Sequence, residues 1–294
     1  MDSLLRGNAL LALAAAFLWG GGDFSGGMGV KSAGGGLRAA LRVVLLSYVT
    51  SFTVLVAIAH LRGDRFAHGA LLAWGVSAGV AGGLALTCFY TALSRGAMGA
   101  SAALSGLLAA ALPAALTLWR QGSPGTLPLL GFAVAGLAIW LIAAGPAEKG
   151  EAGTMALAML AGVGFGFFFI ALKMANGAGV VWPMATARIG SMSVCALMLL
   201  GSELRLRGQP PQAPIRLSRR AVIWALTAAL LDTSGNLLFV ASTRAGRLDV
   251  AAVLGSLYPA STILLAAVAL GERPSRRQAI GMATAVAAVV LIAI

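Results

Sequence analysis

Along this chain apolar positions run together for about 20 residues at a time, long enough to cross a bilayer as a helix. Polar residues gather at the joints. The apolar runs cover 8–29, 38–59, 69–93, 97–119, 127–145, 153–174, 179–201, 220–242, 247–270 and 276–294. Glycine, proline and charge mark the joints: Lys31 to Gly36, Gly63-Asp64, Arg95-Gly96, Gly122 to Pro124, Gly145 to Gly153, Gly177 to Gly179, Arg244 to Arg247 and Gly271 to Pro274. None of the runs alternates apolar with polar residues as a membrane β-barrel strand does. The pattern therefore predicts an all-α integral membrane protein of ten transmembrane helices. One sizeable loop, Ser202 to Arg219, holds Pro210, Pro211, Pro214 and several arginines and is expected to be a solvated connector. The start of the chain mimics a secretion signal, with Arg6 before an apolar run, but that run continues past Trp19, so it is expected to be the first span.

The second half repeats the first. At a constant offset of 150 (224 minus 74), Trp74 pairs with Trp224, Phe89 with Phe239 and Gly96 with Gly246. Leu104 and Leu107 pair with Leu254 and Leu257, Pro124 with Pro274, Gly131 with Gly281, and Leu141-Ile142-Ala143 with Leu291-Ile292-Ala293. Matched Trp, Pro and Gly positions are not what chance similarity of Ala/Leu-rich segments produces. Five spans per half is an odd number, so the second half must enter the membrane from the opposite side. Inverted repeats are a signature of secondary transporters, whose substrate path lies between the halves.

Composition agrees: 59% of the 294 residues are hydrophobic, 10% are charged, and the mean hydropathy is +0.91, against about 25% charged residues in a soluble domain. The net charge of +12 does not signal nucleic acid, because the basic residues are scattered over short loops without interleaved aromatics. It fits loops that meet lipid headgroups. With the N-terminus inside, the inner loops carry seven Lys/Arg and the outer ones twelve. The positive-inside rule then leans toward an outer N-terminus, although the long loop supplies five of the twelve. Cys88 and Cys195 lie within apolar runs and have no metal-site or redox spacing, and His60 and His68 flank a loop. No cofactor and no metal site is expected, nor is a Ser-His-Asp triad. The glycine clusters near 20–36 and 162–166 follow no strand, so they are not read as a phosphate cradle.

Ionisable residues inside spans are costly and face the protein interior or a cavity. Asp23 sits among glycines in Trp19-Gly-Gly-Gly-Asp23-Phe24, where Trp19 and Asp23 share a helical face. The glycines permit close helix approach or local unwinding. Asp232 is near the middle of the eighth span, on one stripe with Asn236, Phe239 and Thr243. Both aspartates are candidates for proton coupling; their alternatives are a hydrated helix end for Asp23 and a structural hydrogen-bond network for Asp232. Arg42 and Arg188 occupy similar places in the second helix of each half. Structural pairing or snorkelling is expected of Arg42, and for Arg188 either an anion contact or pairing with Asp23 or Asp232. Trp19, Phe24, Tyr90, Trp182 and Tyr258 are aromatic candidates for a cavity wall, with membrane-interface belts and plain packing as the alternatives. Pro113, Pro183 and Pro259 lie in the apolar runs, where proline bends a helix, and Tyr258-Pro259 is the expected hinge. The candidate substrate-binding set is Trp19, Asp23, Tyr90, Arg188, Asp232, Asn236 and Tyr258.

These residues carry a resemblance. Gly235-Asn236-Leu237-Leu238-Phe239 through Thr243-Arg244-Ala245-Gly246, Leu254 to Pro259, Leu270-Gly271-Glu272-Arg273 and Gly281 resemble the EamA-domain exporters of the drug/metabolite transporter superfamily. Trp19-Gly20 with Asp23-Phe24 resembles that family's first helix, and Phe89-Tyr90 with Arg95-Gly96 its third helix and turn. The resemblance implies two inverted five-helix EamA repeats, 1–147 and 148–294, around a central cavity. It also implies export of small metabolites such as amino acids or related compounds. Members are usually drawn with both termini cytoplasmic, which the lysine and arginine count contradicts. One departure is local: Gly271-Glu272-Arg273-Pro274 in the second repeat stands against Gln121-Gly122-Ser123-Pro124 in the first, so Glu272 is expected to pin a helix end rather than serve the site.

The expectation is thus a multi-pass protein of the inner or plasma membrane that is not an enzyme. Its partners would be a small-molecule substrate, membrane lipid and protons, and its energy a gradient. A lipid or lipid-carrier flippase of the same fold is the nearest rival. An intramembrane enzyme is disfavoured by the scarcity of histidine, and a receptor or scaffold would need an output domain.

Overall fold

The computed structural model describes residues 2–95, 98–143, 153–205, 217–271 and 275–293, and helices are the only regular elements among them. The first five are α1 (Asp2–Ser32), α2 (Gly36–Arg62), α3 (Gly69–Arg95), α4 (Met98–Gln121) and α5 (Thr126–Ala143). After them come α6 (Thr154–Ala175), a single 3-10 turn (Asn176–Ala178), α7 (Val181–Arg205) and α8 (Arg219–Ala245). The chain ends with α9 (Leu248–Gly255), α10 (Tyr258–Leu270) and α11 (Arg276–Ala293). Among the described residues eight stretches are long and apolar enough to cross a membrane, the eighth being α9 and α10 together (Leu248–Ala269), while the apolar part of α5, Thr126–Ile142, is shorter.

Several joints behave as their sequence predicts. Gly63 ends α2 in the left-handed region at φ 66°, its N–H bonded to the Ala59 and His60 carbonyls, a conformation that costs glycine little. Ser218 caps α8, its side chain accepting from the Ala221 N–H. The prolines divide differently from expectation. Only Pro113 lies inside a helix; Pro183 falls in the first turn of α7 and Pro259 in that of α10. A first turn tolerates proline because its N–H has no partner there. The ninth apolar run is accordingly two helices, broken at Ser256-Leu257 beside the expected hinge. The predicted loop Ser202 to Arg219 lies largely outside the described residues, as do the Glu272-Arg273-Pro274 turn, Gly96 and the 147/148 repeat boundary.

The helices pack in crosswise pairs. α1 runs along α8 and α3 along α6, while α2 meets α7 and α5 meets α11. Small residues set the approach. A Cβ on Gly131 would lie 2.5 Å from Ile292 Cγ1, and one on Gly281 2.8 Å from Ile142 Cγ1. These are the same two contacts written once from each half, since 131 pairs with 281 and 142 with 292. Likewise a Cβ on Gly106 would lie 2.8 Å from the carbonyl of Ser256, its own counterpart.

At one end of the bundle α6 and α8 cap each other. Lys173 Nζ donates to the Thr243 carbonyl at the end of α8, and Arg244 donates to the Asn176 carbonyl at the end of α6. Each cation thus meets the free carbonyls of the other helix C-terminus. Asn8 of α1 joins there, its Nδ2 3.2 Å from the Arg247 carbonyl, while Ser242 donates to the Asn8 carbonyl at 2.9 Å. At the opposite end Arg38 and Arg42 of α2 reach Glu203 of α7 at 2.7 and 3.1 Å.

Candidate functional site

A cavity lies at mid-depth, walled by the middle stretches of α1, α2, α3, α4, α6, α7 and α8 and by the first residue of α10. The free space in it is tight, about 40 Å³ for the centre of a water-sized molecule, well below the volume of a drug-sized small-molecule site. Six of the seven sequence-predicted residues line it: Trp19, Asp23, Arg188, Asp232, Asn236 and Tyr258. Tyr90 does not. It is buried behind the wall, its hydroxyl donating to the Gly22 carbonyl at 3.4 Å and its ring filling the space beside Gly26. Of the other aromatic candidates, Phe24 packs edge-on against Trp224. Trp182 belongs to the helix-end layer, donating to the Asp64 carbonyl at 3.0 Å.

Arg188 is the best-anchored group. Its guanidinium is 2% exposed and meets the Asp232 carboxylate at 2.6 Å. Its Nε donates to Ser51 at 2.8 Å, and its Cζ lies 4.7 Å from the centre of the Tyr48 ring. Thr233 donates to the same Ser51 hydroxyl at 2.6 Å. α2, α7 and α8 are therefore tied around one cation, which pairs with Asp232 while its Nη1 makes no hydrogen bond among the described residues, leaving a donor for an anion as well. Buried charge is tolerated only when paired and hydrogen-bonded, and this arrangement meets both conditions. Arg42 is likewise paired, but with Glu203, away from the cavity.

Asp23 stands differently. α1 is continuous from Asp2 to Ser32, so the glycines around Asp23 serve close approach and not unwinding. A Cβ on Gly22 would lie 3.3 Å from the backbone N of Asp232, and one on Gly235 2.8 Å from Trp19 Cδ1. This seam sets Asp23 and Asp232 on the wall of the same cavity. Asp23 is 9% exposed, well inside α1 and not at a hydrated end, and among the described residues it makes no hydrogen bond or ion pair. Two carboxylates therefore face one arginine, which is engaged with the other aspartate.

Asn236 completes the polar side. Its Nδ2 donates to the Asp232 carbonyl at 2.7 Å, while its Oδ1 is buried without a hydrogen-bond partner. Opposite, the wall is aromatic. Trp19 stacks on Phe169 at 5.3 Å and 15°, and Phe169 meets Phe239 at 4.5 Å. Tyr258 shares a hydroxyl–hydroxyl bond with Ser105 of α4 and also donates to the Ala102 carbonyl at 3.2 Å. Tyr48, Phe165, Phe168 and Phe169 line the cavity without having been expected there. Their signal was available: Phe165, Phe168 and Phe169 are spaced i, i+3, i+4, one face of a helix, as are Tyr48 and Ser51.

Paired and unpaired charges at mid-depth, in a bundle of long apolar helices and around a cavity drawn from both halves, define a multi-pass membrane protein with a central site. Residues 152–294 match the EamA-like transporter family. That stretch is the domain of the drug/metabolite transporter superfamily. A solved structure described only as "Crystal structure of protein" superimposes with a TM-score of 0.67, covering 97% of this chain and 95% of its own, at 18% identity. A likeness at that identity speaks for the fold alone. No curated protein matches the chain in sequence.

Proposed function

We propose that the chain is a secondary transporter of the inner or plasma membrane that exports a small metabolite, of the class of amino acids and related compounds, in exchange for protons. In this reading it is built from two inverted five-helix repeats, 1–147 and 148–294, that rock about the central cavity. The crosswise helix pairing and the reciprocal contacts Gly131–Ile292 and Gly281–Ile142 support the repeat. The observation that carries the function is the unpaired Asp23 beside the Arg188–Asp232 pair in the mid-depth cavity. A buried carboxylate without a partner is costly unless a proton or a cationic group neutralises it, so Asp23 is assigned the proton-exchanging role. The groups facing it are Asp232 and Arg188, with Tyr48, Tyr90 and Tyr258 packed around them. Asp232, held by Arg188, is assigned to keep the site in register.

The test is reconstitution in liposomes with an imposed pH gradient and a panel of labelled amino acids and amines. Wild type should drive uptake or release of at least one compound in step with the gradient, and Asp23→Asn should leave exchange but lose its dependence on the gradient. Full, gradient-driven transport by Asp23→Asn at wild-type expression would remove the coupling role. Absence of transport of every compound by well-folded wild type would overturn the transporter reading for these classes.

A further inference from the structure

A second cavity lies at the end of the bundle where α2, α3, α6 and α7 meet, between the loop 63–68 and the turn 176–180. It leaves about 460 Å³ for the centre of a water-sized molecule, within the range of small-molecule sites. Arg62, Asp64, Arg65, Phe66 and His68 form one wall, and the turn before α7 forms the other. The two walls are fixed to each other. Trp182 Nε1 donates to the Asp64 carbonyl at 3.0 Å, and the Phe66 ring meets Trp182 edge-on at 4.7 Å. Gly177 sits so close to α3 that a Cβ on it would lie 3.0 Å from Leu71 Cδ2. The wall is rich in donors. Arg62 gives its Nε to Asp64 at 3.1 Å, which leaves its terminal nitrogens, and Arg65 makes no hydrogen bond or ion pair among the described residues. Asp64 is the one acid on the wall and Arg62 already balances it, so the Arg65 charge stands uncancelled. α3 and α7 both begin here, at Gly69 and Val181, and the positive ends of their dipoles add the same sign. Arg62, Gly69, Ala178 and Val181 also terminate four of the apolar spans. The cavity is therefore at headgroup depth, where rings such as Phe66 and Trp182 settle.

We infer that this cavity binds a phosphate group, its oxygens received by the guanidinium groups of Arg62 and Arg65. Arginine's planar fork matches a phosphate, and charge-assisted bonds of this kind are the strong ones. A cationic ligand would meet two arginines and a carboxylate that is already paired. At this depth the phosphate has two sources, the headgroup of an anionic phospholipid or a water-soluble phosphate ester. One wall belongs to α2 and α3 and the other to α6 and α7, so a bound phosphate would also tie these helix pairs together at their ends. Such a site is independent of the central cavity and of any transport through it.

Thermal unfolding of the full chain in dodecyl maltoside reads binding as a midpoint that rises with ligand concentration. Ionic strength is held constant, because exposed charges are screened by salt. The probes are glycerol 3-phosphate, succinate as a dianion without phosphorus, and micelles doped with phosphatidylglycerol or with phosphatidylcholine. Glycerol 3-phosphate or phosphatidylglycerol should raise the midpoint of wild type, and succinate and phosphatidylcholine should not. A response to glycerol 3-phosphate assigns a soluble ester; a response to phosphatidylglycerol alone assigns the lipid headgroup. The double variant Arg62→Gln/Arg65→Gln should weaken the effective probe about tenfold or more. Its midpoint without ligand should stay close to that of wild type, since both side chains are exposed. Arg219→Gln/Arg220→Gln removes the same charge at the opposite end of the bundle, where α8 begins, and should keep the full response. Silence toward both phosphate probes overturns the inference, as does an equal response to succinate. So does a response that survives in the Arg62/Arg65 variant or is lost equally in the Arg219/Arg220 variant.

Discussion

Removing either partner of the Arg188–Asp232 pair should be far more damaging than removing both. With Asp232→Leu the Arg188 guanidinium keeps Ser51 and the Tyr48 ring but loses the one carboxylate it meets among the described residues, at a position 2% exposed. Breaking a buried pair on one side costs about 3–5 kcal/mol, because an uncompensated charge is left behind. Asp232 is 21% exposed to the cavity, so water reaches its end of the pair and the cost of Arg188→Met should fall nearer the lower figure. Replacing both by apolar groups removes both charges, and such replacements are often close to neutral. At about 2 °C of midpoint per kcal/mol for a chain of this size, Asp232→Leu should unfold roughly 6–10 °C early and Arg188→Met slightly less so. The double variant should recover most of that loss. Thermal unfolding of the three purified variants in one detergent reads this directly, and a double-mutant cycle gives the coupling. Singles within about 1 kcal/mol of wild type, or a double variant as unstable as the sum of the singles, would show that the pair is not a dry, mutually dependent unit. Arg188 would then not depend on Asp232 for its place in the bundle.

Other substitutions test the packing around the site. Gly79→Ala would place a methyl 1.7 Å from the Ala187 carbonyl oxygen; the backbone of α7 cannot yield locally, so a loss of about 3 kcal/mol or more in thermal stability is expected. Gly136→Ala, with nothing within 4 Å, should stay within about 0.5 kcal/mol of wild type. Ser105→Ala removes the hydroxyl partner of Tyr258 while leaving Tyr258 its bond to Ala102, so a loss of about 1 kcal/mol is expected. Glu203→Gln should leave the midpoint close to that of wild type at about 0.15 M salt, because its carboxylate is 41% exposed and water and salt screen it. A large drop would show instead that the Arg38–Glu203–Arg42 cluster clamps α2 to α7.

The sequence carried most of the apolar helices, several of their joints and the polar residues of the cavity, because each depends on local chemistry. A charged or amide side chain in an apolar run must face the protein interior, so Asp23, Arg188, Asp232 and Asn236 announce a site wherever the helices are placed. Which of them meet depends on packing, and packing is set by residues that look featureless in sequence. Gly22 brings Asp23 beside Asp232 because it has no side chain to hold α1 off α8, yet it is one of three consecutive glycines that differ only in what lies across from them. The same holds for the wall. Tyr90 and Tyr258 look alike in sequence, each in an apolar run of its own repeat, but Gly26 draws the Tyr90 ring into the α1–α3 contact, while the break at Ser256-Leu257 leaves Tyr258 at the head of a new helix facing the cavity. The two halves, so similar in sequence, therefore furnish different groups at mid-depth: the first half gives the unpaired acid, and the second gives the arginine, its aspartate and the orphan amide. In the proposed transporter reading, an inverted repeat need only match in its backbone contacts to rock between two states. Its central side chains would then be free to diverge, and here that divergence leaves one aspartate paired with the arginine and the other open to the cavity.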